Sequence, residues 1–166
     1  MRTLTFRGYL AVAVIGLMVA VLWMAAGTVR AQEAVMRHAT GTFEVSVTPA
    51  DPEVREAGLG LARFMLAKTF TGGMSGACVG QMLAGGPSEQ VGTYVALERF
   101  VGTVNGRNGA FLMAHRGDMS AEGYSLSITI VPGSGTGELK GIGGDFALVV
   151  EGGEHRYDLS YSLPVE

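Results

Sequence analysis

The stretch VGTYVALERFVGTVNGRNGAFLMAHRG, Val91 to Gly117, decides the fold. Two runs rich in β-branched and aromatic residues flank Asn105-Gly106-Arg107-Asn108-Gly109. Asn-Gly pairs tolerate the positive φ angles of a type I′ turn, so the stretch reads as a hairpin of two long strands. Side chains alternate between the faces of a strand. Glu98, Phe100, Phe111, Met113 and His115 therefore share one face whichever way the turn closes. A four-residue loop, Asn105–Asn108, sets Glu98 directly opposite His115. A two-residue Asn105-Gly106 loop sets it opposite Met113, with His115 one diagonal step away. The other face, Val95, Leu97, Arg99 and Val101, is equally apolar, so alternation leaves open which face turns inward.

The same reading extends along the chain. His38–Thr48 alternates Phe43, Val45 and Val47 against Thr42, Glu44 and Ser46, the pattern of a half-buried strand. Asp51-Pro52-Glu53 predicts one helical turn. Leu61–Phe70 and Met74–Leu83 read as a strand pair about Gly72-Gly73, closed by Gly85-Gly86-Pro87. Tyr124–Val131 alternates cleanly, with Leu126, Ile128 and Ile130 inward. Pro132-Gly133-Ser134-Gly135 turns the chain into a short strand, Thr136–Gly141. Phe146–Val150 and His155–Leu163 flank a second two-residue turn, Gly152-Gly153; His155, beside that turn, is expected to be exposed. The chain holds 26 glycines, and they punctuate runs rich in Val, Ile, Phe, Tyr and Thr rather than diluting them. About eight consecutive antiparallel strands with one apolar face predict an all-β domain, a small closed barrel over residues 38–166. A sandwich is the alternative.

Residues 1–31 read as a leader. Arg2 and Arg7 precede an apolar run of 18 residues from Leu10 to Gly27, and Val29-Arg30-Ala31 then puts small or aliphatic residues at the positions a signal peptidase reads. That is the order of a signal peptide, although signal cores usually run roughly 7–15 residues. An uncleaved anchor, which needs about 20 apolar residues, is the competing reading, and a start at Met36 is the third. With either leader the arginines stay in the cytoplasm and the domain is expected outside it, secreted, periplasmic or tethered. Residues 32–37 would be a linker. Beyond the leader there are 9 basic and 15 acidic side chains, a net charge of −6, which argues against a nucleic-acid surface. Membrane contact is expected only through the leader. The one cysteine, Cys78, excludes an internal disulfide and a cysteine-built metal site.

Glu98 and His115 are the candidate catalytic pair: a carboxylate beside an imidazole on an apolar face shifts both groups and can move protons. The bland alternative is a structural hydrogen bond. Tyr94, Tyr157 and Tyr161 are candidate ligand-binding residues, offering ring faces to an apolar molecule and hydroxyls to orient it; ordinary barrel core is their alternative. His38, His115 and His155 have no metal-ligand spacing, and no metal or cofactor is expected. Asp118, Glu138 and Asp158 read as solvated rather than as paired carboxylates. Gly133-Ser134-Gly135-Thr136-Gly137 is a turn, because no helix follows to cradle a phosphate. Cys78, with no base nearby in sequence, reads as an inert buried thiol. Arg107 and Asn108 read as turn residues.

The segments HATGTFEV, LAKTFTG, GQMLAGG, YVALERFVGTVNGRNGAFLMAHRG and IVPGSGTGELKGIGG resemble, in order and spacing, an uncharacterised bacterial family, the domain of unknown function numbered 3224. The resemblance spans about His38 to Pro164 and implies a barrel similar to that of allene oxide cyclase. Members resembling this chain start near the position of Met36, so the leader is a departure. Fold does not imply function. The leading expectation is a non-catalytic module that holds a small, partly apolar ligand, or a scaffold. The alternative is a barrel enzyme, isomerase- or cyclase-like or an acid hydrolase, working through Glu98 and His115. A homo-oligomer is compatible with either.

Overall fold

The computed structural model describes residues 35–50, 60–88 and 90–164. The leader and the turn expected at Asp51-Pro52-Glu53 lie outside the described residues. Nine strands follow in order: β1 (Arg37–Pro49), β2 (Ala62–Gly72), β3 (Met74–Ser88), β4 (Val91–Val104), β5 (Arg107–Ser120), β6 (Gly123–Ile130), β7 (Thr136–Gly137), β8 (Gly143–Glu151) and β9 (Glu154–Ser162). Eight of them form a closed antiparallel barrel in the order β4-β3-β2-β1-β9-β8-β6-β5, and β5 pairs back onto β4. The two-residue β7 pairs on β5. Among the described residues there is no helix. The expected barrel is the fold.

The central hairpin takes the shorter of its two turns. Asn105 and Gly106 have φ of 46° and 83°, Val104 pairs with Arg107, and Glu98 stands opposite Met113. His115 pairs with Ala96, one diagonal step away. Gly152 and Gly153 make the second such turn, between Glu151 and Glu154.

Two local expectations are corrected. Gly85-Gly86-Pro87 does not end a strand, because β3 continues through it to Ser88 with a shift of register between Gly85 and Ser88. A bulge accommodates a proline, which cannot donate to the ladder, without ending the strand. The short strand expected at Thr136–Gly141 stops at Gly137. Leu139 N–H donates to Thr136 O and Ile142 N–H to Leu139 O, so the chain coils instead of extending. That coil drives Leu139 and Ile142 into the core, where they are almost fully buried.

Burial of the inward positions runs in one direction along β1, β4, β6 and β8. In β4 the inward positions Val104, Phe100, Glu98 and Ala96 are buried, while Tyr94 is half-exposed. In β1, Ala39 and Phe43 are buried, Val45 is intermediate and Val47 is 49% exposed. The series Phe146, Leu148, Val150 in β8 and Ile128, Leu126, Tyr124 in β6 repeat the trend. One pole is therefore plugged by Ala39, Met74, Val104, Leu139, Leu159 and Tyr161. At the opposite pole, termed the mouth, the inward side chains are apolar and increasingly exposed, as at Val47, Tyr124 and Val150.

Between them lies an aromatic layer centred on Phe70. Its ring lies 5.1 Å from Phe43 and meets Phe100, Phe146 and Tyr157 edge-on at 5.7, 6.1 and 5.5 Å. Val79, Val95, Leu97 and Val101 point outward from β3 and β4 and are 47–59% exposed, which answers the question of faces.

Candidate functional site

The site is the floor of the mouth. Glu98 is 1% exposed and His115 7%, the two polar residues that the barrel buries among its described residues. Lys68, in register with Cys78 on the neighbouring strand, also points inward, between Leu66 and Phe70. Its Nζ donates to Glu98 Oε2 at 2.9 Å and sits 5.2 Å from the centre of the Phe43 ring. Cys78 Sγ lies 3.5 Å from the same carboxylate oxygen, and His115 Nε2 lies 3.4 Å from it. The histidine contact has ion-pair distance without hydrogen-bond alignment. Glu98 Oε1 and His115 Nε2 are left buried with no hydrogen-bond partner. Gly80 faces Glu98 across the ladder, and a Cβ there would stand 2.6 Å from Glu98 Cγ, so the glycine makes room for the carboxylate.

The electrostatics follow from this crowding. Burial alone pushes the Glu98 carboxyl up, but His115 and the Lys68 ammonium outweigh it and hold the group at about 2. Glu98 is thus ionised under all ordinary conditions. Burial, and then the adjacent Glu98 charge, push the Cys78 thiol far up. The thiol is inert as a nucleophile, because the thiolate is the reactive form.

The residues that the alternation pairs across the barrel are brought together; the tyrosines are spread between its ends. Tyr94 lies at the mouth, where its hydroxyl meets that of Tyr124 at 2.7 Å. Gly117, opposite it in the ladder, leaves space for the ring. The hydroxyl of Tyr157 instead accepts from Met74 N–H at 2.7 Å and donates to Thr71 O at 3.1 Å. Tyr161 OH accepts from Asn105 Nδ2 at 3.0 Å. Both sit in the packed half.

The family described as protein of unknown function (DUF3224) matches residues 39–161. The chain belongs to the DUF3224 family. A solved structure of a DUF3224 protein of unknown function from Shewanella oneidensis MR-1 is similar at 36% identity and a TM-score of 0.72. The match covers 79% of this chain and all of that one. No curated protein matches.

Other polar residues of this DUF3224 barrel are dispersed. His38 pairs with Asp158 at 2.9 Å on the outer surface. His155, expected in solvent, is half-buried instead, because its position on β9 turns its ring onto Phe43 at 5.0 Å. Asp118 is held below its usual range by Thr93 and Arg116. Among the described residues no three His, Cys, Asp or Glu gather as metal ligands. Lys68 is the site residue that sequence reading missed. Its signal was Leu66, Lys68 and Phe70 at a two-residue spacing, one charge in an otherwise apolar stripe.

Proposed function

We propose that this domain is a binding module, acting outside the cytoplasm, that takes a small, partly apolar molecule into the mouth of the barrel. The apolar part rests against Phe64, Leu66, Met82, Tyr94 and Leu126; the polar end meets Glu98 and His115. The observation that carries the reading is the pair of buried, unpartnered atoms, Glu98 Oε1 and His115 Nε2, beneath a mouth that is otherwise apolar. Buried polar groups rarely go unpaired, and each that does calls for an explanation. A hydroxyl or amide answers both atoms, because it can donate to the carboxylate and bond the imidazole nitrogen. To reach them it must displace side chains of the ring above, of which Met82 is the most adaptable.

The alternative, proton transfer by Glu98, fits the site less well. A general base works best with a pKa near the working pH, and a carboxylate held at about 2 beside His115 and the Lys68 ammonium is a weak one. The location outside the cytoplasm is supported by the charged and apolar order of residues 1–31.

The test is to purify the full chain gently, identify small molecules that come with it by native mass spectrometry, and titrate them while following the His115 ring by NMR. A true ligand shifts the His115 signals and loses affinity by tenfold or more when Ala96→Trp obstructs the mouth. Bare protein together with His115 signals that no co-purifying or added amphiphile moves would sink the reading.

A second copy of the chain is the partner proposed for the exposed outer face of β3 and β4. Sedimentation velocity should show a dimer or trimer that Val79→Lys dissociates; a monomer at every concentration rules this out.

A further inference from the structure

Half of the lysines and arginines among the described residues are engaged. Lys68 pairs with Glu98, Arg116 with Asp118 and Arg156 with Glu154, and Arg63 is likewise engaged. Among the described residues, Arg37, Arg99, Arg107 and Lys140 carry no ion pair. Arg99 stands on the outer wall. The other three line a single pocket of about 600 Å³ at the plugged pole, far from the mouth. They arrive from separate parts of the chain: the first residue of β1, the first residue of β5, and the coil that follows β7.

Leu163 and Pro164 give this pocket an apolar wall. Among the described residues its one acid is Glu138, which accepts the Asn108 backbone N–H at 2.8 Å and is thereby turned toward the hairpin. Among the described residues the pocket thus gathers three cations against one carboxylate, in a domain that is otherwise net acidic. Convergent cations around a partly apolar concavity suit an anion on an apolar stem, since the charge is drawn in and the stem loses water.

We propose that the pocket of Arg37, Arg107 and Lys140 is a second binding site, for a phosphate group carried on a short apolar chain. This chemistry is shared by soluble phosphate amphiphiles and by the headgroups of anionic lipids. It is independent of the mouth and of whatever the mouth binds.

The experiment is calorimetric titration of the full chain with octyl phosphate, inorganic phosphate and octanol. Octyl phosphate is expected to bind more tightly than either of the others, and to weaken as salt is raised. The double variant Arg107→Ala, Lys140→Ala should lose roughly tenfold or more in affinity, the ordinary consequence of removing bonds to a charged group, with an unchanged melting temperature. Bound octyl phosphate should shift the amides of Gly137–Gly141 and leave the His115 ring unmoved. Vesicle pelleting separates the two sources. If phosphatidylglycerol retains the wild-type chain more than the double variant, and phosphatidylcholine retains both alike, the ligand is a headgroup. If octyl phosphate binds without that difference, the ligand is soluble. Octanol binding as tightly as octyl phosphate, full affinity in the double variant, or shifts confined to His115 would each overturn the site.

Discussion

Glu98→Gln is expected to cost the barrel about 3–5 kcal/mol, the range for removing one partner of a buried ion pair. The shape of the side chain is kept, so packing is not the cause. What is lost is the counter-charge of Lys68, whose side chain is only 10% exposed and cannot easily reach water. Adding Lys68→Met to Glu98→Gln should therefore restore much of the stability, because an apolar pair of similar volume replaces a stranded cation. The wild type should also lose stability in acid. Glu98 titrates near 4.5 when unfolded and near 2 in the barrel, so its contribution is complete above about pH 4.5 and fades as the pH falls toward 2. That contribution is about 3 kcal/mol. Thermal melts of the wild type and the two variants between pH 2 and 7 would show it as a slope that Glu98→Gln flattens. Equal melting temperatures for wild type and Glu98→Gln at pH 7 would mean that the cluster carries no structural load.

Phe70→Ala should be comparably severe, about 3–5 kcal/mol and a fall of roughly 10–15 °C in melting temperature. Phe70 is 2% exposed and touches four aromatic rings from four different strands, so no single neighbour can move in to fill the space. Val101→Ala on the outer wall removes a side chain that is 47% exposed and is expected to cost under about 1 kcal/mol. Chemical denaturation of the pair measures both. A loss below 1 kcal/mol for Phe70→Ala would show that the layer relaxes around the gap.

The barrel was legible because its signals are local. Asn105-Gly106 and Gly152-Gly153 set two turns by backbone conformation alone, and strict alternation in Phe43–Val47 and Leu126–Ile130 marks faces. The shared face of Glu98 and His115 followed from the same rule. Lys68 was lost among the alanines of its strand, and its contact with Glu98 joins residues thirty apart across an intervening strand. Gly85-Gly86-Pro87 misled because glycine and proline mark turns and bulges alike, and only the partner strand decides between them. The inward coil at Leu139 had no signal of its own, since what it fills is a space made by the rest of the barrel. The pocket cations likewise come from distant stretches, and Arg107 in particular reads as a turn residue until its neighbours are known.

The pairing of β1 with β9 has a consequence for how the molecule comes into being. His38 bonds to Asp158, 120 positions further along the chain, and the ladder around it joins the first strand to the last. Until β9 has left the ribosome, β1 has one free edge and no closed cylinder can exist. Long-range pairing of this kind is slow to form. The nascent polypeptide therefore stays open through synthesis, which keeps it threadable for any machinery that moves unfolded chains. A product truncated before residue 154 lacks β9 and leaves both β1 and β8 without the strand that joins them.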